Sequence, residues 1–210
     1  GDIRLLANVN IILGGITTTV NASLTATTGS ITDAGSAFGN EDVIAAGLRL
    51  VAGVGIGQPA DHIETKVTTL TTRATSGGTY ITETDALTID DVAVTIQQVA
   101  TDATVAAVTD ATQSDLITSA GDGSIVIVTG GALTINDGTA ATDNTGVSAN
   151  GTGNVLLSTT GNITANADLN SGTGHITLVA SDSIEFTATA DARTAGTGTI
   201  NLEATAGSIT

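Results

Sequence analysis

Cysteine, methionine and tryptophan are absent from the 210 residues, and proline occurs once. Without cysteine there is no disulfide framework and no thiolate for a metal or a nucleophile, so redox chemistry leaves the compartment unmarked. The aromatic residues are Phe38, Phe186 and Tyr80 alone. Antiparallel sandwiches usually carry larger cores, and sugar-processing clefts need stacking aromatics. Basic residues are scarce too: 5 Lys and Arg stand against 21 Asp and Glu, a net charge of −16. A field of that sign repels nucleic acid and anionic membrane surfaces, so neither is an expected partner. No apolar run approaches the ~20 residues of a spanning helix. Nor does a basic segment followed by an apolar run mark an export signal within these residues.

What remains is small and aliphatic. Glycine numbers 26, hydrophobic residues make up 40%, and the mean hydropathy is positive, so the chain is expected to fold around a core of small side chains rather than stay disordered. Apolar residues alternate two apart at Ile3/Leu5/Ala7, Leu48/Leu50/Ala52, Ile125/Ile127/Thr129, Val155/Leu157/Thr159, Ile176/Leu178/Ala180 and Ile200/Leu202/Ala204. Period two marks strands with one buried face. After a Gly-containing bend a second short strand follows, as at Ile11/Leu13, Leu133/Ile135 and Ile184/Phe186. These units recur at roughly 20 to 30 residues, the interval of solenoid coils.

A narrow solenoid fits this pattern better than a sandwich. Val, Ile, Leu and Ala fill a thin core, Gly, Asn, Ser and Asp turn the corners, and backbone hydrogen bonds run between coils. The expected fold is all-β, a right-handed parallel β-helix of roughly eight to ten coils stacked about 4.8 Å apart. Ile3, Leu5, Leu50, Ile127, Leu157, Leu178 and Leu202 should point inward. The stretch from Asp90 to Leu116 is less regular; its β-branched residues favour strand over a short helix. Gly35 to Gly39 and Gly138 to Gly153 read as projecting loops.

The chain also repeats itself over a long period. GDIRLLANVNIIL at Gly1 to Leu13 aligns with GHITLVASDSIEF at Gly174 to Phe186, and SLTATTGSIT at Ser23 to Thr32 with NLEATAGSIT at Asn201 to Thr210. The offset grows from 173 to 178, as a five-residue loop insertion requires. The expected organisation is a single solenoid segment over 1–210, in which 1–32 resembles 174–210: one long repeat and the start of the next, from a longer array.

ADHIETKVTTLTTRATSGGTYITETDALTI at Ala60 to Ile89, TDATQSDL at Thr109 to Leu116 and GNVLLSTTGNITANADLNSGTGHITL at Gly153 to Leu178 resemble modules of giant bacterial secreted or surface proteins of the filamentous-haemagglutinin type. The resemblance covers nearly the whole chain. It implies tandem parallel β-helix modules in a very long, adhesin-like extracellular protein. Because the motifs are structural coil features, no binding residue carries over.

Candidate chemistry is sparse. His62 and His175 have no cysteine, second histidine or carboxylate at zinc spacing, and both read as exposed surface residues. Asp122, Asp137 and Asp143 lie near Gly-rich bends and invite a calcium reading. The nonapeptide that binds calcium between solenoid coils is missing, however, and GDGS at Gly121 to Ser124 is too short to specify a loop, so they read as turn residues. Arg4, Arg49, Lys66, Arg73 and Arg193 are scattered along the sequence, unlike the clustered acids and basic subsites of a polysaccharide-cleaving β-helix. Thr-x-Thr at Thr17, Thr25 and Thr187 raises an ice-binding surface, but the occurrences are unevenly spaced and Thr is an ordinary exposed strand residue. Sequons at Asn21, Asn150 and Asn162 permit glycosylation.

These readings assign no catalytic, cofactor-binding or metal residue, and no cofactor beyond weak, non-specific divalent cation binding. They favour a non-enzymatic, secreted or cell-surface structural rod, stacked end to end with neighbouring copies or modules, with cell-surface glycans or receptors as a further partner class. A carbohydrate-active β-helix enzyme and an ice- or glycan-binding module are the competing classes.

Overall fold

In the computed structural model, residues 1–35 and 41–210 are described. The loop expected at Gly35 to Gly39, Phe38 included, lies outside them apart from Gly35. Among the described residues there is no helix, and the chain forms 22 strands. Coil one carries β1 (Ile3–Ala7), β2 (Ile11–Leu13) and β3 (Ile16–Thr17). Coil two carries β4 (Asn21–Ala26), β5 (Ile31–Asp33) and the first half of β6 (Val43–Ala52). Coil three takes the second half of β6, a bridge at Ile56 and the first half of β7 (Ile63–Ala74). The rest of β7, β8 (Thr79–Glu83) and β9 (Leu87–Ile89) make coil four.

A hairpin of β10 (Val92–Val99) and β11 (Val105–Gln113) comes next. Coils five to seven then repeat a simple triplet: β12 (Leu116–Thr118), β13 (Ile125–Thr129) and β14 (Leu133–Ile135); β15 (Thr145–Ala149), β16 (Val155–Thr159) and β17 (Ile163–Ala165); β18 (Asp168–Ser171), β19 (Ile176–Ala180) and β20 (Ile184–Phe186). Coil eight has β21 (Ala192–Arg193), β22 (Ile200–Ala204) and a bridge at Ile209.

Among the described residues every strand pairing outside the hairpin is parallel, and all but that of β7 with β9, which joins the start of coil four to its end, link one coil to the next, making the fold a parallel β-solenoid-like stack. The first ladder aligns Leu5, Leu24, Leu50, Thr72, Leu116, Val147, Leu169 and Ala192. The second aligns Ile11, Ile31, Ile56, Thr79, Ile125, Val155, Ile176 and Ile200. These columns are the core, because period-two alternation turns each of their side chains inward and the equivalent residue of the next coil covers it. Leu50, Ile127, Leu157 and Leu178 are fully buried as expected, and Ile3 and Leu202 are partly buried against the core. Leu5 departs from expectation: it faces the core but is 36% exposed, since β1 pairs with β4 on one side only.

The corners shift midway. β6 and β7 each run through a corner, so that their first halves lie on a third ladder (Ile16, Val43, Thr65) and their second halves on the first. β8 then takes up both the second ladder, with Thr79 beside Ile56, and the third, with Ile81 beside Ile63. A new pair of columns begins where Ile89 of β9 lies beside Leu70: Ile135, Ala165 and Phe186 continue it, and two residues earlier Leu87, Leu133, Ile163, Ile184 and Ile209 form the second. The strands grouped by sequence as equivalent are therefore not all on one face: Ile3 and Leu48 stand in the first ladder, and Ile125, Val155, Ile176 and Ile200 in the second. Alternation reports which way a side chain points, not which side of the coil bears it.

Corners are fixed by small residues and by side chains that imitate backbone. A Cβ on Gly123, Gly153 or Gly174 would lie 2.1 to 2.2 Å from a carbonyl oxygen of the preceding coil, so only glycine fits this column. Asn10 Oδ1 accepts the Ser30 N–H, Asn154 Oδ1 that of His175, and Asn162 Oδ1 that of Ser183, each one coil on. Amide side chains thereby continue the ladder where strands end. The segment expected as a loop from Gly138 to Gly153 is partly strand: Val147 is fully buried between Leu116 and Leu169, which draws β15 into the stack.

The irregular stretch is the antiparallel hairpin. Rungs of the first ladder lie 22 residues apart from Leu50 to Thr72 but 44 from Thr72 to Leu116. Residues 92–113 make up the excess, so the hairpin is an insertion that leaves the stack's register intact. It folds back along the outside of coils one to four.

Candidate functional site

Three features gather chemistry-bearing side chains. The first is a carboxyl cluster. Asp33 ends β5, Asp42 precedes β6, and Glu64 lies in β7, and one oxygen of each falls within 4.8 Å of the others. Stacking places them: the Asp42 N–H donates to Glu64 O at 2.8 Å, and the Glu64 N–H to Asp42 Oδ2 at 3.1 Å. Asp33 and Asp42 are 8% and 1% exposed. Burial pushes the Asp42 carboxyl up to about 7; the Glu64 N–H opposes this and the neighbouring Asp33 adds to it. Glu64 is also raised, by burial first and then by Asp33. One oxygen from each carboxyl falls short of the six to eight a calcium ion takes, so holding one would need bidentate carboxylates, carbonyls or water besides. Sequence reading missed it because Asp33, Asp42 and Glu64 share no motif; the pairing of coils two and three brings them together.

The second feature lies beneath the hairpin. Arg4, Arg49 and Arg73, scattered in sequence, all stand on the outer side of the first ladder. Arg4 Nε bonds Asp110 Oδ1 at 2.8 Å, and Arg49 Nε donates to the Ala111 carbonyl at 3.2 Å. Burial alone would raise Asp110, but Arg4, Ser23 and Arg49 outweigh it and hold the carboxyl below its usual range. Burial also lowers Arg49, with Arg73 and Arg4 contributing in the same direction. Arg4 and Arg49 fasten the hairpin and are taken up by it, so they offer no subsite for an acidic sugar. Lys66 pairs with Asp85 at 3.3 Å at the surface, and the exposed Arg193 reaches the buried Asp168 at 2.9 Å.

The third is an open groove of about 360 Å³ lined by Thr18, Thr19, Ala45, Lys66, Thr68 and Asp85, among others. Among the described residues its one cation is paired with its one carboxylate, and no aromatic residue lines it. That composition supplies neither an acid–base pair nor a stacking subsite.

The remaining sequence candidates take structural places. Asp122 Oδ1 accepts the Thr152 N–H, and Asp137 and Asp143 both accept the Thr145 N–H, as turn residues do. His175 is exposed and bonds Thr199 through Nδ1. His62, expected at the open surface, is instead half-buried, with Nδ1 2.9 Å from Thr82 Oγ1 and its ring 5.9 Å from that of Tyr80; burial lowers its pKa. Thr17, Thr25 and Thr187 do not share a ladder. A threonine column does exist, at Thr69, Thr88, Thr134 and Thr164, but it is a single row. Of the sequons, Asn21 is engaged, donating through Nδ2 to Ala93 O of the hairpin, whereas Asn162 is exposed at a corner.

No protein-family model, curated protein or solved structure matches this chain.

Proposed function

We propose that this chain is a non-catalytic rod segment of a giant extracellular filament or adhesin, a right-handed parallel β-helix of the filamentous-haemagglutinin type whose neighbours are further modules of the same kind. One observation carries the reading. Ile3, Leu5 and Ala7 pair with Ala22, Leu24 and Ala26, and the residues aligned with them by sequence, Ile176, Leu178 and Ala180, pair in the same order with Ile200, Leu202 and Ala204. Ile11 beside Ile31 likewise matches Ile184 beside Ile209. A repeat that keeps strand register as well as sequence behaves as a building unit, and units that bury a thin core only against one another suit an array.

The chemistry is consistent with such a rod. Carboxylates and basic groups are spent on corners and on the hairpin, and the open groove lacks the groups a glycosidase or lyase needs. Secretion, surface display and contact with glycans or receptors belong to this proposal, as does the absence of a cofactor. Electron microscopy of the native material tests it: rods with a regular axial repeat are expected. Compact monomers that turn over a polysaccharide would overturn it in favour of the enzyme.

A further inference from the structure

The hairpin rejoins the stack through a buried polar knot. Gln113, the last residue of β11, lies across two coils, and its Nε2 donates to Leu50 O of coil three at 3.2 Å and to Thr71 Oγ1 of coil four at 3.1 Å. The Thr71 hydroxyl in turn donates to Asp115 O at 2.9 Å, and the Thr72 N–H reaches the same oxygen at 3.0 Å. With its proton so engaged, Thr71 Oγ1 turns a lone pair to the Gln113 amide. Thr71, Gln113, Ser114 and Asp115 are all buried, none of them more than 3% exposed.

A hydroxyl held against a carboxamide in a dry site is a nucleophile beside an acyl group. Ammonia leaves an amide only when the nitrogen gains a proton, and the knot contains an acid to supply it. Burial pushes the Asp115 carboxyl up to about 7; the Ser114 hydroxyl and Arg73 oppose this, and Asp143 and Asp137 add to it. At neutral pH the group is thus present in both forms, as accepting and returning a proton requires. Its Oδ2 accepts the Ser114 hydroxyl at 2.8 Å, whereas Oδ1 is buried without a partner.

We propose that Thr71 and Gln113 join in an internal ester, a covalent staple between coil four and the root of the hairpin. The inference goes beyond the rod reading and does not depend on it. The amide plane turns, and Thr71 Oγ1 closes on Gln113 Cδ, one bond beyond its present contact, to the reacting distance of about 3 to 3.5 Å. Oγ1 adds to Cδ, the Cδ–Nε2 bond of the tetrahedral centre breaks, and Nε2 departs as ammonia. The proton that the nitrogen gains is the one the hydroxyl loses, relayed by the Asp115 carboxyl, which ends as it began. No oxidant or other reactant is needed. Fixed neighbours react as if at high concentration, and the buried ester is shielded from water once formed. In a chain without cysteine, such a bond closes a loop in the unfolded state as a disulfide would.

Intact mass spectrometry of the purified chain tests the staple. The protein should weigh one ammonia less than its sequence, and digestion should give a branched peptide that contains both 71 and 113. Thr71→Val and Gln113→Ala should each restore the full mass, while Thr71→Ser, which keeps a hydroxyl, should still show the loss. Mild alkali should open the bond with the gain of one water and leave glutamate at 113. Asp115→Asn keeps the shape of the neutral acid without its exchangeable proton, and should slow formation at least about a hundredfold, so that the purified variant stays largely at full mass. Formation at the parent rate in that variant would overturn the relay. A parent at full mass would overturn the ester itself. So would a loss that persists in Thr71→Val, which would place it elsewhere, as in a succinimide at Asn150 and Gly151.

Discussion

Leu157 and Leu5 occupy inward positions in strands of the same alternation, yet the first is fully buried and the second 36% exposed. The cause lies outside both strands. β16 is paired with β13 below and β19 above, whereas β1 has β4 alone among the described residues. Burial in a solenoid is conferred by two neighbours, so stability is a sum of interfaces more than of residues. A leucine is worth its full amount only in the interior of the stack.

Truncation tests this most directly. Leu157→Ala should cost about 2 to 5 kcal/mol in chemical denaturation, as a cavity between two occupied coils does, and Leu5→Ala under about 1.5 kcal/mol. Equal losses would break the neighbour account.

Interior burial is also a penalty for some groups. The folded Asp42 titrates near 7 against an ordinary 3.8, so the folded state resists its ionisation. The penalty is absent below pH ~4, grows as pH rises through the interval, and is complete above about 7. Asp42→Asn should therefore stabilise the protein at pH 8, on the order of 2 kcal/mol, with the gain vanishing near pH 4. Denaturation midpoints at the two pH values measure it; a gain that persists at pH 4 would show that ionisation is not the cause.

Two buried threonines sharpen the point at smaller amplitude. Thr79 Oγ1 has no partner in the isoleucine column between Ile56 and Ile125, whereas Thr118 Oγ1 donates to Gly123 O at 2.7 Å. Thr79→Val should stabilise by about 1 kcal/mol and Thr118→Val destabilise by a similar amount. Thermal melts of the pair would show opposite shifts. The smallest effect is ionic. With a net charge of −16, salt should raise stability by a few tenths of a kcal/mol, and calcium and magnesium should act alike at matched ionic strength. A large rise unique to calcium would instead point to the Asp33, Asp42 and Glu64 cluster.

Inward alternation was legible in the sequence, and Leu50, Ile127, Leu157 and Leu178 stand where it puts them, because a strand's facing depends on adjacent residues alone. The stacking partners were less legible. Which strand lies beneath which depends on loop lengths, and the corner shift at β6 to β8 separates strands whose motifs look alike. The hairpin showed only as irregular, since Val92, Val94 and Ile96 alternate in an antiparallel ribbon just as they would in a coil. Neither the carboxyl cluster nor the gathering of Arg4, Arg49 and Arg73 has a local signature; each is assembled by register between coils. His62 was misjudged for the same reason, as Tyr80 and Thr82 belong to the coil above.

The hairpin also changes how the stack can come apart. Ladder contacts in coils one to four join residues about 20 apart, the nearest-neighbour coupling that lets a solenoid fray from either end. The bonds from Arg4 to Asp110 and from Thr95 to Asp2 span 106 and 93 residues, tying coil one to a segment that leaves and rejoins the stack at coils four and five. Coil one cannot peel away without lifting the ribbon, which in turn holds coils two and three. Four coils become one cooperative block, while among the described residues no such strap reaches coil eight. Amide exchange should thus run unevenly along the rod, fast at β22 and slow at β4, although the two strands carry related sequences. Mechanical direction follows: a pull at the C-terminal end would unravel the stack coil by coil, and would meet its first large resistance at the strap.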